Sequence, residues 1–597
     1  MKLTALLGAI AFSASFAITA NPISNEIKAV ESGLRNSIHF SNDPLWSIDE
    51  RMKHYGVPGV SIAVIKDFKI HWAKTYGLAD KETQQPVTKN TLFQAASISK
   101  PVSAYAALKL VEQKKLSLDN PVNDLLIDWK IPQNTSTQKQ PVALKHLLSH
   151  SGGLNLQGFR GYAVNAPLPS VIQILEGEEP ANSKPLRVVR HPGTRFRYSG
   201  GGYTVLQKLV TDITKTNYPE VMIKLLLSPL GMKQSSFQQP LPTEKLKYAA
   251  AGYYNDQSPV IGKRHTYPEL AAAGLWSTSE DIAKFIIDVL LTIKNDTGRV
   301  LSQNMANKML TPFSRQDMGL GFYLMDKKDD LYFFHQGTNK GFESEFFAHK
   351  NKGFGVVIMI NSNHKEFISE LKNSVAAYYQ WDNFISPSFT SLPINQQEQR
   401  RITGRYRLQP DVSFNVYAEN GHLFKKEPFG PKQEMFKVGE NEYITKADDT
   451  IISFQKSPKT GSIEYTVKMP NGKFWGRPRL KDDESMPLDL VILGRVTEAE
   501  KAYLQFFEKK PMFKVPSEGG LLQAINKLAR SEKHDLTLPL LQMSTRLFAT
   551  GEKSWQALAK YHQQLGNINE VISTYQKAIK LQPENEKFKQ ELKSLGK

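Results

Sequence analysis

Strand-like runs bracket a long helical middle in this chain, and that order limits the folds open to it. GVSIAVIKDFKIHWAKTYG, from Gly59 to Gly77, reads as two antiparallel strands joined by a polar turn at Lys66-Asp67. From Ser97 to Lys115 the apolar residues Val102, Tyr105, Ala106, Leu108, Leu110 and Val111 recur at helical spacing, which suits a helix buried on most sides. Strand-like runs then return with LYFFH before Gly337, FESEFFAHK from Phe342 and FGVVIMIN from Phe354. Strands first, helices in the middle and strands last suggest an α+β domain whose sheet is completed by both ends of the segment. We place it at residues 37–385.

At 597 residues the chain exceeds what one hydrophobic core supports, about 250–300 residues, so roughly three units are expected. Residues 386–399, SPSFTSLPINQQEQ, are rich in Ser, Pro and Gln and read as a linker. Short strands follow over 400–495, with Asn420-Gly421 and Asn471-Gly472 between them. Asn-Gly favours a two-residue hairpin because both turn positions need positive φ, so this segment reads as a small antiparallel barrel or sandwich. Residues 498–597 read as all-α. There Trp555, Leu558, Tyr575, Ala578 and Pro583 fall near the positions of a tetratricopeptide repeat, although Ala559, His562 and Val571 replace the usual Gly, Tyr and Ala. One repeat cannot bury its own apolar face, so helices around 521–528 and 540–548 are expected to stack on it.

The first 20 residues carry Lys2, an apolar run from Leu6 to Phe16 and small residues up to Ala20, the pattern of a secretory signal. A retained short anchor is the alternative. The expected location is therefore exported, periplasmic or secreted. The chain has no cysteine, which excludes disulfides, thiolate nucleophiles and Cys-ligated metals. Walker A, HExxH and dinucleotide-binding glycine patterns are absent too, so no metal or cofactor is indicated. A net charge of +18 favours anionic cell-envelope neighbours. Export and the lack of a recognition motif argue against nucleic acid.

Ser97-Ile98-Ser99-Lys100 is an S-x-x-K sequence placed where a strand-like lead enters a helix. A spacing of three puts both side chains on one helical face, so the lysine can reach the hydroxyl. Serine is a poor nucleophile until a base takes its proton, and lysine can serve where desolvation lowers its pKa. Pro101 is tolerated at this position because the first helical N–H groups have no partner to lose.

The segment from Trp46 to Asn363 resembles the class C β-lactamase-related serine hydrolases, a family that includes D,D-peptidases, D-aminopeptidases and carboxylesterases. The matching stretches, in order, are VPGVSIAVI, YGLADKETQQPV, TLFQAASISK, LVEQKKLSLDNPV, LKHLLSHSGGL, HPGTRFRYSGGGY, AAGLWSTSEDIAKF, GLGF, HQGTNKGFESEF and VVIMINS. The resemblance implies an antiparallel sheet flanked by helices plus a helical subdomain, with a lipocalin-like β appendage after it. It implies that Ser97 is the acylated nucleophile, Lys100 its proton acceptor and Tyr198 the proton shuttle. His335, with Gln336 and Gly337, stands where many β-lactamases have Lys-Thr-Gly. The implied oxyanion hole is the N–H of Ser97 and that of Thr338, with Gly337 giving the substrate backbone close approach.

A phenol titrates near ~10, so Tyr198 needs adjacent positive charge to act as a base, and Lys100 and His335 are the candidates to supply it. Two residues depart from the family pattern. Gly200 takes the place of an Asn that contacts the substrate amide, and His335 replaces a permanent cation. Both shift the expectation toward a D-amino-acid-directed peptidase or carboxylesterase acting on a peptide or small molecule, with β-lactamase as the alternative. A non-hydrolytic envelope-binding protein, docking a partner or a second copy through the C-terminal domains, is the reading of another class. Arg187, Arg190, Arg195 and Arg197 crowd the approach to Tyr198 as a solvated loop or an anion site. His150, Trp276 and Tyr203 are read as structural.

Overall fold

The computed structural model describes residues 22–596, apart from 314, 316, 386–387, 459, 469–473, 510–516 and 531–532. The expected secretory signal at 1–20 lies outside the described residues. By internal contacts the described chain forms two compact units, one ending at Pro387 and one made of Ile38–Asn42 with Ser388–Lys597.

In the first unit, β1 (Gly59–Lys66) and β2 (Lys69–Asp80) form the expected hairpin, turned at Asp67 and Phe68, both at positive φ. β3 (Gln85–Pro86) pairs with β2, while β4 (Phe93–Gln94) pairs separately with β5 (Trp276–Ser277). After the helical middle come β6 (Tyr323–Lys327), β7 (Asp330–Asn339), β8 (Phe342–His349) and β9 (Gly355–Ile360). The large sheet has the order β3-β2-β1-β9-β8-β7-β6 and is antiparallel throughout.

Both faces of β1 are buried, which is why it reads as a continuous apolar run. Val60, Ile62 and Val64 pack with Phe367, Leu371 and Val375 of the helix Lys365–Tyr378. Ala63 and Ile65 join the opposite core, with Ile282, Phe285 and Val289 of the helix Ser279–Asn295. That second core continues into the helical subdomain around Ser99–Glu112, a helix apolar nearly all round and buried accordingly.

The second unit opens as an eight-stranded antiparallel barrel: β10 (Gly404–Gln409), β11 (Val412–Glu419), β12 (His422–Lys426), β13 (Lys432–Gly439), β14 (Glu442–Thr445), β15 (Asp448–Lys456), β16 (Ile463–Lys468) and β17 (Phe474–Pro478). Strands pair in chain order, and a bridge between Tyr406 and Arg479 brings the last edge to the first, so the segment is a nearly closed barrel rather than a sandwich. Asn420-Gly421 makes the β11–β12 turn with both residues at positive φ. Asn471-Gly472 lies outside the described residues, between paired strands β16 and β17.

The span read as a linker, 386–399, is structured from Ser388 onward. Phe389 bridges Phe40, Leu392 bridges Lys437, and Asn395 caps a helix over Gln396–Ile402 whose Ile402 enters the barrel core. Its polar composition reflects exposure of one side, which sequence alone does not separate from flexibility. Helical structure also begins before 498, with Pro487–Leu493 sharing an apolar cluster with the helices Val496–Lys509, Glu518–Ala529 and Thr537–Leu547. The last three helices, Glu552–Gln564, Ile568–Leu581 and Glu586–Ser594, bury Trp555, Val571, Tyr575 and Phe588 together.

Candidate active site

Local backbone geometry presents Ser97. After β4 the chain makes a single tight turn over Ala96–Ile98 before the helix Ser99–Glu112, and Ala96 sits in the left-handed region at φ +49°. Such a conformation costs a non-glycine residue about 1–2 kcal/mol and persists only where the surroundings impose it. Here Ala95 N–H donates to Leu275 O (2.9 Å) and the Ser344 hydroxyl donates to Ala95 O (2.8 Å). Of residues 91–100 only Ser97 is not fully buried, and its side chain opens into a pocket of about 580 Å³.

Lys100 lies beneath it, 2% exposed. Its Nζ donates to Ser97 Oγ (2.9 Å) and to the carbonyl of Ala272 (2.7 Å). Burial pulls the amine down to about 7, because the charged form loses its hydration and no carboxylate compensates.

Tyr198 arrives from the loop that precedes the helix Gly200–Thr214. Its hydroxyl faces the Ser97 side chain, and Lys100 Nζ stands 4.9 Å from its ring centre. His150 clamps this loop on both sides of Tyr198. Its carbonyl accepts from Arg197 N–H (2.7 Å), its Nδ1 accepts from Ser199 N–H (3.1 Å), and its ring lies 4.3 Å from that of Tyr198. His150 is therefore a positioning residue beside the site.

The electrostatics overturn one expectation. Lys100 and His335 were the candidates to loosen the Tyr198 proton, yet burial pushes this phenol above its ordinary value. His335, 1% exposed, is held neutral by burial and by the nearby Lys100 amine, which bring it down to about 3. Its Nδ1–H donates to Gln336 O (2.7 Å), and the Nε2 lone pair has no partner among the described residues. The reason is common to both groups: a site dry enough to neutralise Lys100 also disfavours phenolate and imidazolium.

On β7, Gly337 and Thr338 pair with Ser344 and Glu343 of β8. A side chain on Gly337 would place its first carbon 2.3 Å from Ala95 O and 3.0 Å from Ser97 N, so β7 runs directly against the nucleophile's own amide. Thr338 and Asn339 line the pocket, as does Gln157. Gly200 does not. It starts a helix under Gln157 and Phe159, donates its N–H to Gln157 O (2.7 Å), and a Cβ there would meet the Phe159 ring at 2.9 Å. The side of the site where an Asn was expected is thus filled by Gln157 and Phe159.

None of the four arginines before Tyr198 is among the residues lining the pocket. Arg187 pairs with Glu176 (3.6 Å), and Arg197 Nε donates to Leu154 O (2.9 Å). The rim cation is Arg315, paired with Asp317 and lying 4.9 Å from the Phe196 ring centre. No sequence motif marked it. Trp276 and Tyr203 are buried packing groups as expected; Trp276 meets Phe342, and the Tyr203 hydroxyl donates to Leu148 O (3.1 Å). Among the described residues no group of three or more His, Asp or Glu could hold a metal ion.

One group near the site went unnoticed in the sequence. Glu269 precedes the short helix Leu270–Ala273 that supplies Lys100's carbonyl acceptor. It is fully buried, and neither carboxylate oxygen has a partner among the described residues. Desolvation pushes it up to about 8. The folded state then holds a proton that the unfolded chain releases above about pH 4.5, so this group makes stability fall as pH rises toward 8. Glu269→Gln is expected to remove that slope and exceed the wild type by on the order of a few kcal/mol near pH 8. Unfolding midpoints at about pH 5 and about pH 8 check this; parallel pH dependences of the two proteins would contradict it.

Comparison with known proteins bears on this geometry. Residues 47–379, more than half of the chain, match the family model described as Beta-lactamase. Protein flp of Staphylococcus aureus (strain MW2) is 25% identical over 346 residues, covering 55% of this chain and 66% of that protein. An uncharacterized protein, MT1414, of Mycobacterium tuberculosis (strain CDC 1551 / Oshkosh) is 30% identical over 258 residues, 39% of this chain and 63% of its own length. Among solved structures, the octameric penicillin-binding protein homologue from Pyrococcus abyssi is 24% identical, covering 71% of this chain and 95% of that one, with a TM-score of 0.48. The extent of the family match, over the unit that carries the Ser97, Lys100 and Tyr198 cluster, places this chain in the Beta-lactamase family.

Proposed function

We propose that this protein hydrolyses an amide or ester bond through an acyl-Ser97 intermediate. The carrying observation is the buried Lys100 amine, 2.9 Å from Ser97 Oγ and brought down to about 7 by its surroundings. In that range a large share of the amine is free to accept the Ser97 proton as Oγ attacks the carbonyl carbon. The oxyanion formed is assigned to the N–H groups of Ser97 and Thr338, which β7 holds alongside.

Tyr198, kept protonated by its environment, passes its proton to the leaving alcohol or amine as the tetrahedral intermediate collapses, and is reprotonated from Lys100. Water then attacks the acyl-enzyme with the same groups in reverse, returning the proton to Ser97 and releasing the acid.

The favoured substrates are a D-amino-acid-containing peptide or a carboxylic ester. A neutral His335 gives no permanent charge for a β-lactam carboxylate, whereas the Arg315–Asp317 pair offers both signs at the rim, suited to a peptide terminus. An exported enzyme acting on the cell envelope is part of this reading and rests on the N-terminal residues and the net charge of +18.

The test uses purified wild type with p-nitrophenyl esters, D-Ala-terminated peptides and a chromogenic cephalosporin. It combines steady-state rates with rapid quenching and mass mapping of the peptide that carries Ser97. An acyl adduct on that peptide, with turnover of the ester or peptide, is expected. The absence of any adduct would favour the non-hydrolytic binder, and fastest turnover of the cephalosporin would favour the β-lactamase.

The pH profile follows from the same amine. The protonated form cannot accept, so kcat/KM is expected to rise tenfold per unit below about pH 7 and level above it. Tyr198, shifted up, adds no falling limb below its ordinary value of ~10. A profile falling from pH 6 to 8 would exclude Lys100 as the base.

A further inference from the structure

We infer a second ligand site, for a small organic anion with a flat or apolar body, at the rim of the β-barrel. The barrel's interior is not available, because Tyr406, Phe414, Tyr443, Phe454 and Tyr465 fill it at 2% exposure or less. A pocket of about 500 Å³ opens instead where β10 and β17 meet and the helix Val496–Lys509 stands over them.

Its walls join cations to aromatic and apolar surface: Arg407, Arg477 and Lys509 with Trp475, Met486 and Phe506. Glu484 neutralises only Arg407, by accepting from its Nη2 at 2.8 Å. Arg477 is the unusual member. Nε and Nη1 of its guanidinium are shielded from solvent and have no hydrogen-bond partner among the described residues, and Arg407 Nε is in the same condition.

A guanidinium cannot shed its charge at physiological pH, and leaving desolvated charged donors unmade is costly. The group does stack, 4.6 Å from the Trp475 ring centre and 5.6 Å from that of Phe414, but these ring faces leave its in-plane N–H donors unused. Trp475 itself lines the pocket and is 52% exposed, a large aromatic face beside a cation with no ion-pair partner among the described residues.

A carboxylate or sulfonate between Arg477 and Lys509, with its apolar body on Trp475 and Phe506, pairs the guanidinium's charge and covers the exposed indole. Such a ligand is bound and not turned over: the one hydroxyl in the lining is that of Ser485, and no hydrogen bond joins it to a base among the described residues. The inference does not depend on the reading of Ser97.

The test is calorimetric titration of the full chain with 2-naphthoate and with its neutral isostere 2-naphthamide, in wild type, Arg477→Gln, Trp475→Leu and Ser97→Ala. We expect naphthoate to bind wild type and Ser97→Ala equally. Loss of the anion or of Arg477 should each weaken binding by about 10–100-fold, the worth of one charge-assisted hydrogen-bonded pair. Trp475→Leu, at an exposed position, should weaken naphthoate and naphthamide alike, and it keeps the test decisive if Arg477→Gln disturbs the barrel. Equal affinity for acid and amide, unchanged binding in both site variants, or binding lost only in Ser97→Ala would overturn the inference, as would no heat at millimolar naphthoate.

Discussion

Lys100→Met is expected to lower kcat/KM for the proposed ester or amide hydrolysis by about 10²–10⁴-fold while leaving the fold intact. Methionine keeps the length and the apolar stem of the lysine side chain, so the space between Ser97 and Ala272 stays filled. What it removes is the amine that donates to Ser97 Oγ and Ala272 O. Because that amine is buried without a carboxylate partner, its replacement by an apolar side chain holds or raises stability.

Lys100→Arg is expected to be as inactive, since guanidinium stays protonated and cannot accept the serine proton. Ser97→Ala loses at least as much. The double variant Ser97→Ala/Lys100→Met should be no worse than the worse single one, as for groups that act as a unit. Steady-state rates with thermal unfolding on the same samples read all four proteins. Wild-type rates in a folded Lys100→Met protein would remove the amine from the mechanism.

Gly337→Ala tests the other half of the site, the seam between β7 and the nucleophile. The added methyl would sit 2.3 Å from Ala95 O, 2.6 Å from Ser344 Oγ and 3.0 Å from Ser97 N. None of the backbone atoms can swing aside, so β7 must move off the turn that carries Ser97. That displacement spoils the alignment of the Ser97 and Thr338 amides on the developing oxyanion. A fall in kcat of about 10²–10³-fold is expected, the usual worth of one oxyanion donor.

Overpacking of this kind costs about 1–3 kcal/mol of stability, so the variant should still fold. KM should change less than kcat, because the amides act most strongly on the charge that develops in the transition state. Near-normal kcat in Gly337→Ala would mean that the oxyanion is stabilised elsewhere. Gly200→Ala makes a useful contrast: its methyl would meet the Phe159 ring and Gln157 O, on the Gln157 side of the pocket, and would leave the seam between β7 and Ser97 untouched.

Much of the hydrolase unit is legible from residue order alone. Runs such as GVSIAVIK are apolar on consecutive residues because both faces of β1 are covered, and that burial leaves a one-dimensional trace. The S-x-x-K spacing likewise transmits directly, since three residues on a helix fix which side chains are neighbours. Segments with one exposed side were harder: 388–402 has a linker's composition, yet it contributes Phe389, Ile394 and Ile402 to packing with the barrel. Arg315 and Glu269 carry no local signal, because what distinguishes them is the company of residues distant in sequence.

Composition and periodicity pointed to the α+β class and to the strand-rich and helical appendages, and the resemblance of the ordered motifs to a known family singled out Ser97, Lys100 and Tyr198 as a set. Only tertiary structure decided their protonation. Whether Lys100 is an amine, His335 an imidazole and Tyr198 a phenol depends on how much water the surrounding helices and sheet exclude. Desolvation energy is set by packing in three dimensions, and no spacing along the chain records it.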